Sequence, residues 1–323
     1  MANELTTIQQ SDLVIYEPQP LDRNPAAVYL AGLGSEKGRR TQRQALEVIA
    51  NLLTGSPSLA ACNWAALRFQ HTAAIRAKLA HQYAAATANR MLSALRGVLK
   101  AAWRLGQISA EDYARACDVE SVTGETLPAG RELTPGELAA LVHACENDQT
   151  PAGARDAALI AAMYPGGLRR EEVAGLDYGD FNPENGALTV RHGKRNKARI
   201  TYLANGAGRA MADWLTIRGS EPGALFWPIN KGGKLTARRM TNQAVYNALQ
   251  KRGELAGVKG FSPHDLRRTF VSDLLEAGAD IATVAKMAGH ASVTTTARYD
   301  RRTEQAKQKA AGLLHLPYHG RMV

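Results

Sequence analysis

Four short stretches in the second half of this 323-residue chain carry side-chain types suited to chemistry at an anionic centre. Gly167-Leu168-Arg169-Arg170-Glu171-Glu172 stands at the start of an expected helix. Gly193-Lys194-Arg195-Asn196-Lys197 falls in a polar turn between two β-prone segments. In Pro263-His264-Asp265-Leu266-Arg267-Arg268 the proline opens a helix, which puts His264 and Arg267, three apart, on one face. Gly289-His290 is followed nine positions later by Tyr299. Guanidiniums grip oxyanions with forked donors, lysine and histidine exchange protons, and tyrosine is a nucleophile once helped past its high pKa. Each stretch also has an ordinary explanation. Arg169 and Glu172 form a surface ion pair, Lys194 sits in a polar turn, His264 is structural, Gly289 ends a helix, and Tyr299 packs as an aromatic. The order and intervals of all six together are what chance does not supply.

The elements that position these residues are mostly helical. Thr134-Pro135 caps a helix over 135–146, and a second is expected over about 153–163. Residues 187–190 and 199–203 predict a β-hairpin around the turn 192–198. Further helices are expected over about 206–219, 241–256, 263–277 and 281–288. Residues 303–316, with Leu313, Leu314 and Leu316, form a final amphipathic segment. The fold class is therefore mainly α with one small β-sheet, in the α+β sense.

Upstream lies a different unit. Residues 1–20 carry two prolines and no periodicity and are expected to be a flexible arm. Residues 21–118 predict a small helical domain: a short helix opened by Asn24-Pro25, others near 37–54, 71–80 and 85–105, and a last near 109–116. Residues 119–133, with Gly124, Pro128 and Gly130, read as a linker to a domain over 134–323. Between Lys37 and Arg104 there are eleven basic side chains and one acidic, Glu47. Such a block attracts a polyanion, duplex DNA above all, although a solvated helical face has the same composition. The block includes Arg39, Arg40, Arg43, Arg90, Arg96 and Lys100, all candidate phosphate contacts.

The formal charge is +10, and a composition of 45% hydrophobic and 22% charged residues excludes a wholly disordered chain. No run of eighteen apolar residues supports a membrane span, and no secretory signal is recognisable. The three cysteines, Cys62, Cys117 and Cys145, have no metal-ligand spacing and fit a reducing cytosol. No Asp/Glu cluster suggests a catalytic metal, and no cofactor is expected.

Arg169, Lys194, His264, Arg267, His290 and Tyr299, in that order, resemble the catalytic domain of the tyrosine recombinase (lambda-type integrase) family. The resemblance covers roughly residues 134–310 by motif, and more loosely residues 24–118, which are similar to the family's helical core-binding domain. It makes Arg169 and Arg267 the catalytic arginines, Lys194 the hairpin lysine, His264 and His290 the two histidines, Tyr299 the nucleophile and Glu172 a supporting acid. Pro165-Gly166 and the bulky Arg170 depart mildly from the family pattern.

The resemblance implies that duplex DNA is cut and rejoined through a 3′-phosphotyrosyl intermediate without metal. Two arginines suit the pentacoordinate phosphorus, His290 adds a hydrogen bond, Lys194 protonates the departing 5′-oxygen and His264 is the base toward Tyr299. It further implies a clamp around DNA with inverted-repeat core sites, a tetramer in the synapse, and integration, excision or resolution in the cytoplasm at the nucleoid. Host DNA-bending factors are conceivable partners, and the tail over 303–316 docks on its own domain or on a neighbour. Arg238, Arg239, Asn242 and Gln243 are candidates for reading bases, against the alternative of an ordinary helix cap at Thr241. A type IB topoisomerase, a telomere resolvase and a non-catalytic DNA-binding protein are the competing expectations.

Overall fold

The structure, a computed structural model, describes residues 13–14, 20–124, 130–191, 198–297, 299, 311 and 317. Lys194, most of the hairpin turn and, but for Ala311, the segment expected over 303–316 lie outside the described residues. The chain divides into two units, Met1–Leu127 and Pro128–Val323.

The first unit holds five α-helices among the described residues: α1 (Pro25–Ala31), α2 (Glu36–Thr54), α3 (Phe69–Gln82), α4 (Ala85–Arg104) and α5 (Ala110–Cys117). Asn24 starts α1 by accepting the Ala26 and Ala27 amides at 3.0 and 3.1 Å, and Gly55 ends α2 in the left-handed conformation. Leu46, Ile49 and Leu53 of α2 pack with Leu92, Leu95 and Leu99 of α4 around Trp64. Gly97 lets α1 come close, since a Cβ there would stand 2.3 Å from the Tyr29 ring.

Described residues of the expected arm and linker make specific contacts. Of the arm expected over 1–20 only Leu13, Val14 and Pro20 are described; Leu13 is fully buried in this core, and its carbonyl accepts the Asn63 amide at 2.8 Å. A single leucine has no periodicity by which the sequence could show that it is buried. The expected linker is also held at both ends. Arg76 and Asn89 bind the carbonyls of Glu120 and Val122, while the Arg131 and Leu133 amides donate to Asp265 and Thr269.

In the second unit, α6 (Pro135–Glu146), α7 (Pro151–Met163), α9 (Gly206–Arg218) and α10 (Asn242–Leu255) surround a core of Leu159, Met163, Met211, Trp214, Phe226 and Leu249. Here α8 (Arg170–Gly175) follows the Gly-Leu-Arg stretch. Strands β1 (Ala187–Val190) and β2 (Arg199–Tyr202) pair antiparallel, with Val190 opposite Arg199. A smaller apolar cluster of Phe270, Val271, Leu275, Val284 and Ala288 joins α11 (Pro263–Glu276) to α12 (Ile281–Ala288), and Tyr299 packs against it. The short α13 (Val293–Ala297) was not legible in the sequence. Deep in the unit, Arg252 of α10 pairs with Asp156 of α7 at 2.8 Å and with Asp148 at 2.5 Å. The three cysteines are free, and no described helix is long and apolar enough to cross a membrane.

Candidate active site

The site is organised by the end of one helix. Helix α12 stops at Gly289, whose φ of 60° is left-handed. The last carbonyls of a helix have no intrahelical partners and carry the negative end of its dipole. Three consecutive carbonyls here each receive a different arginine. Met287 accepts from Arg199 Nε at 2.9 Å, Ala288 from Arg267 Nη2, and Gly289 from Arg169 Nη2 at 2.9 Å. Residues from β2, α11 and the start of α8 are thereby gathered on one helix terminus.

Glu172 ties two of them together. It caps the start of α8, accepting the Arg169 amide on Oε2 at 2.8 Å and Arg169 Nη1 on Oε1 at 2.8 Å. Arg199 grips the same carboxylate with both terminal nitrogens, at 2.9 and 2.7 Å. Glu172 is buried, so desolvation alone would raise its pKa. The hydrogen bonds and charges of Arg199 and Arg169 outweigh that and hold the carboxyl at about 2. The exposed ion pair considered from the sequence is thus a buried bridge.

Arg267 is only 3% exposed and donates Nη1 to the Gly167 carbonyl as well. Burial, then the charge of Arg169, pull its pKa down to about 9, which leaves it charged at neutral pH. Gly167 has φ 63°, and a Cβ there would strike the Phe270 ring at 2.4 Å, so the Gly-Leu-Arg turn requires glycine.

His290 follows directly. Its Nδ1 lies 2.8 Å from Oγ1 of Thr296, a fully buried residue on α13. Burial, then the charges of Arg267, Arg169 and Arg199, lower its pKa to about 4. The ring is therefore neutral at pH 7, and it shares a hydrogen bond with the Thr296 hydroxyl whose direction follows the tautomer. The Tyr299 ring stands nearly parallel to His290, centroids 6.2 Å apart, with the Arg268 guanidinium 5.3 Å from its own centroid. His264 is an exposed residue in the first turn of α11, between the buried Pro263 and Asp265. Burial of its ring and the charges of Arg267 and Arg268 depress its pKa as well. Five of the six expected catalytic residues thus share one cationic centre; Lys194 lies outside the described residues.

Arg199 and Thr296 were missed. The only hint of Arg199 was a charged residue opening a strand otherwise read for its β-prone neighbours. Thr296 gave no signal, because its partner is set by the turn after α12.

The expected DNA-contact residues separate into two groups. Arg40, Arg43, Arg90, Lys100 and Arg238 are exposed, and their side chains bond no side chain or carbonyl among the described residues. Others are engaged within the protein. Arg39 donates to the Leu33 carbonyl, and Arg96 to those of Cys117 and Val119. Arg239 caps α8 through the Ala174 and Leu176 carbonyls and pairs with Asp177. Asn242 donates to Glu171 at 3.4 Å, and Gln243 to Asn247 at 2.8 Å, while Thr241 caps α10 by accepting the Ala244 amide. The ordinary-cap alternative at Thr241 accounts for this helix start.

Comparison with known proteins agrees with this arrangement. A model of the phage integrase family matches residues 131–306. Tyrosine recombinase XerC of Pelobacter propionicus is 32% identical over 234 residues, 69% of this chain and 71% of the relative. Tyrosine recombinase XerD of Mycobacterium leprae is 35% identical over 235 residues, with the same coverage. The Tn1549 transposon integrase, solved with transposon right-end DNA, superposes with a TM-score of 0.72 at 16% identity, covering 90% of this chain and 99% of that one. A lambda integrase dimer on a core site gives 0.62 at 17%, covering 88% and 77%. These two likenesses establish the fold. The chain belongs to the phage integrase family, and is a tyrosine recombinase, a DNA breaking-and-rejoining enzyme of site-specific recombination.

Proposed function

We propose that Tyr299 attacks the scissile phosphate of a duplex DNA core site and holds the 3′ end as an aryl phosphodiester. The single observation that supports this most is the Tyr299 ring lying against His290 in the cluster that contains Arg169 and Arg267. The phosphorus–Tyr299 oxygen bond forms as the bond to the 5′-oxygen breaks. His264 takes the tyrosine proton, and Lys194 gives one to the departing 5′-oxygen. Attack by a 5′-hydroxyl of the exchanging strand reverses the step, releases Tyr299 and conserves the bond energy. The added charge at pentacoordinate phosphorus meets Arg169 and Arg267, whose bonds to helix carbonyls fix them before substrate arrives. The neutral His290 adds a hydrogen bond to the same phosphate.

The helical unit with Arg40, Arg43, Arg90 and Lys100 is the core-site binding domain in this reading, and four copies act on paired inverted-repeat sites. A DNA substrate puts the working protein in the cytoplasm at the nucleoid. Nicked duplexes drawn from a random-sequence pool by covalent capture supply a substrate. Wild-type protein yields a protease-sensitive adduct on the 3′ side of the break, also in EDTA. Tyr299→Phe binds the same duplex and yields none. An adduct from Tyr299→Phe, or a cut that EDTA abolishes, overturns the assignment.

A further inference from the structure

Arg199 spends its donors on the protein. Nε goes to the Met287 carbonyl, and the two terminal nitrogens go to the two oxygens of Glu172. Its side chain is only 10% exposed. A guanidinium used in this way has no forked face left for a phosphate, in contrast to Arg169, which gives Glu172 one side-chain bond. Yet each partner of Arg199 adjoins a residue proposed to touch substrate. Glu172 orients Arg169, and Met287 precedes the turn that carries His290. Arg199 itself opens β2, the strand leaving the hairpin turn that contains Lys194.

We propose that Arg199 is a positioning residue of the cleavage centre, locking Glu172 to the end of α12 so that Arg169 and His290 address one phosphate. The inference rests on the recombinase reading above. Two physical effects carry it. The first is geometric: a single planar, permanently charged group spans three elements, which a lysine point charge does not do. The second is electrostatic. Glu172 has one negative charge to divide between two guanidiniums; with Arg199 absent, all of it falls on Arg169 and quenches the charge meant for the transition state.

The groups facing Glu172 are Arg169 at the start of α8, Arg199 on β2 and Arg267 on α11, with His290 beyond the end of α12. Removing Arg199 takes away the strongest of the influences that hold Glu172 ionised. The acid side of the cleavage profile therefore moves to higher pH in Arg199→Gln. Protonation of Glu172 then costs the Arg169 alignment in a range where the wild type is still intact.

The test uses the full chain and a nicked duplex captured by the wild-type protein. At saturating DNA, and below a thermal midpoint that the broken buried ion pair lowers, Arg199→Gln forms adduct more slowly by roughly tenfold or more, with DNA affinity close to wild type. Arg199→Lys recovers only part of the rate. The pair Arg199→Gln and Glu172→Gln together is no slower than the worse single variant, because both act through one carboxylate. Wild-type rates in Arg199→Gln overturn the proposal, as does an unmoved acid limb or strictly multiplicative losses in the double variant. If Arg199→Gln does not fold, Arg199→Lys carries the same acid-limb measurement. Should wild-type protein form no Tyr299-dependent adduct on any duplex, the recombinase reading itself fails, a result separate from all of these.

Discussion

The Cα of Gly289 faces the guanidinium of Arg199 so closely that a Cβ on it would stand 2.8 Å from Nη1 and 3.0 Å from Cζ. The far end of a free arginine would swing aside, but three hydrogen bonds pin this one. The left-handed φ adds its own cost for any side chain. Gly289→Ala is expected to destabilise the catalytic unit by about 1–3 kcal/mol. It should slow adduct formation more than it weakens DNA binding. Urea unfolding and single-turnover cleavage check the two halves. An unchanged midpoint with an unchanged rate would show that the α12 terminus is not held against Arg199.

Local signals made much of this site readable and nonlocal ones hid the rest. Arg169 with Glu172, and His264 with Arg267, are each three residues apart, and helix geometry alone puts such pairs on one face. Gly289 announced a helix end. What the sequence left out was which arginine each terminal carbonyl receives. Arg199 meets Met287 from 88 positions away, and Arg169 meets Gly289 from 120. The basic block of the first unit was visible as composition, but composition does not separate Arg96, bound to the Val119 carbonyl, from the exposed Arg40. Leu13 was missed for a similar reason, since one buried side chain makes no pattern.

Stability should depend on acidity through His290 and Glu172. His290 titrates at about 4 in the folded protein against 6.5 for a free imidazole. The unfolded chain therefore binds the proton first as pH falls. The contribution of the neutral ring is complete above pH 6.5 and is lost progressively down to about 4. Glu172, held at about 2 against 4.5, contributes fully above 4.5 and loses that share between 4.5 and 2. Each group acts with a limiting slope of about 1.4 kcal/mol per pH unit. Urea midpoints measured from pH 7.5 to 3 should fall continuously on the acid side, and His290→Gln should flatten the part between 6.5 and 4. A wild-type curve level from pH 7 to 4 would contradict the depressed imidazole.

The basic residues of the first unit should divide by experiment as they divide in the structure. Arg96 holds the carbonyls of Cys117 and Val119, where α5 ends and the connecting segment begins. Removing it leaves those acceptors short of a partner, so Arg96→Ala should cost about 1–2 kcal/mol of stability. Arg40 and Arg43 project from α2 into solvent. Arg40→Ala and Arg43→Ala should leave the unfolding midpoint in place and weaken DNA binding. Each phosphate contact they lose should reduce the slope of log affinity against log salt by about 0.9. Titrations of a captured duplex at several salt concentrations, run beside thermal melts, separate the outcomes. If Arg96→Ala lowered the slope with an unmoved midpoint, its carbonyl contacts would be secondary to a phosphate, and the division drawn from the folded chain would be reversed at that residue.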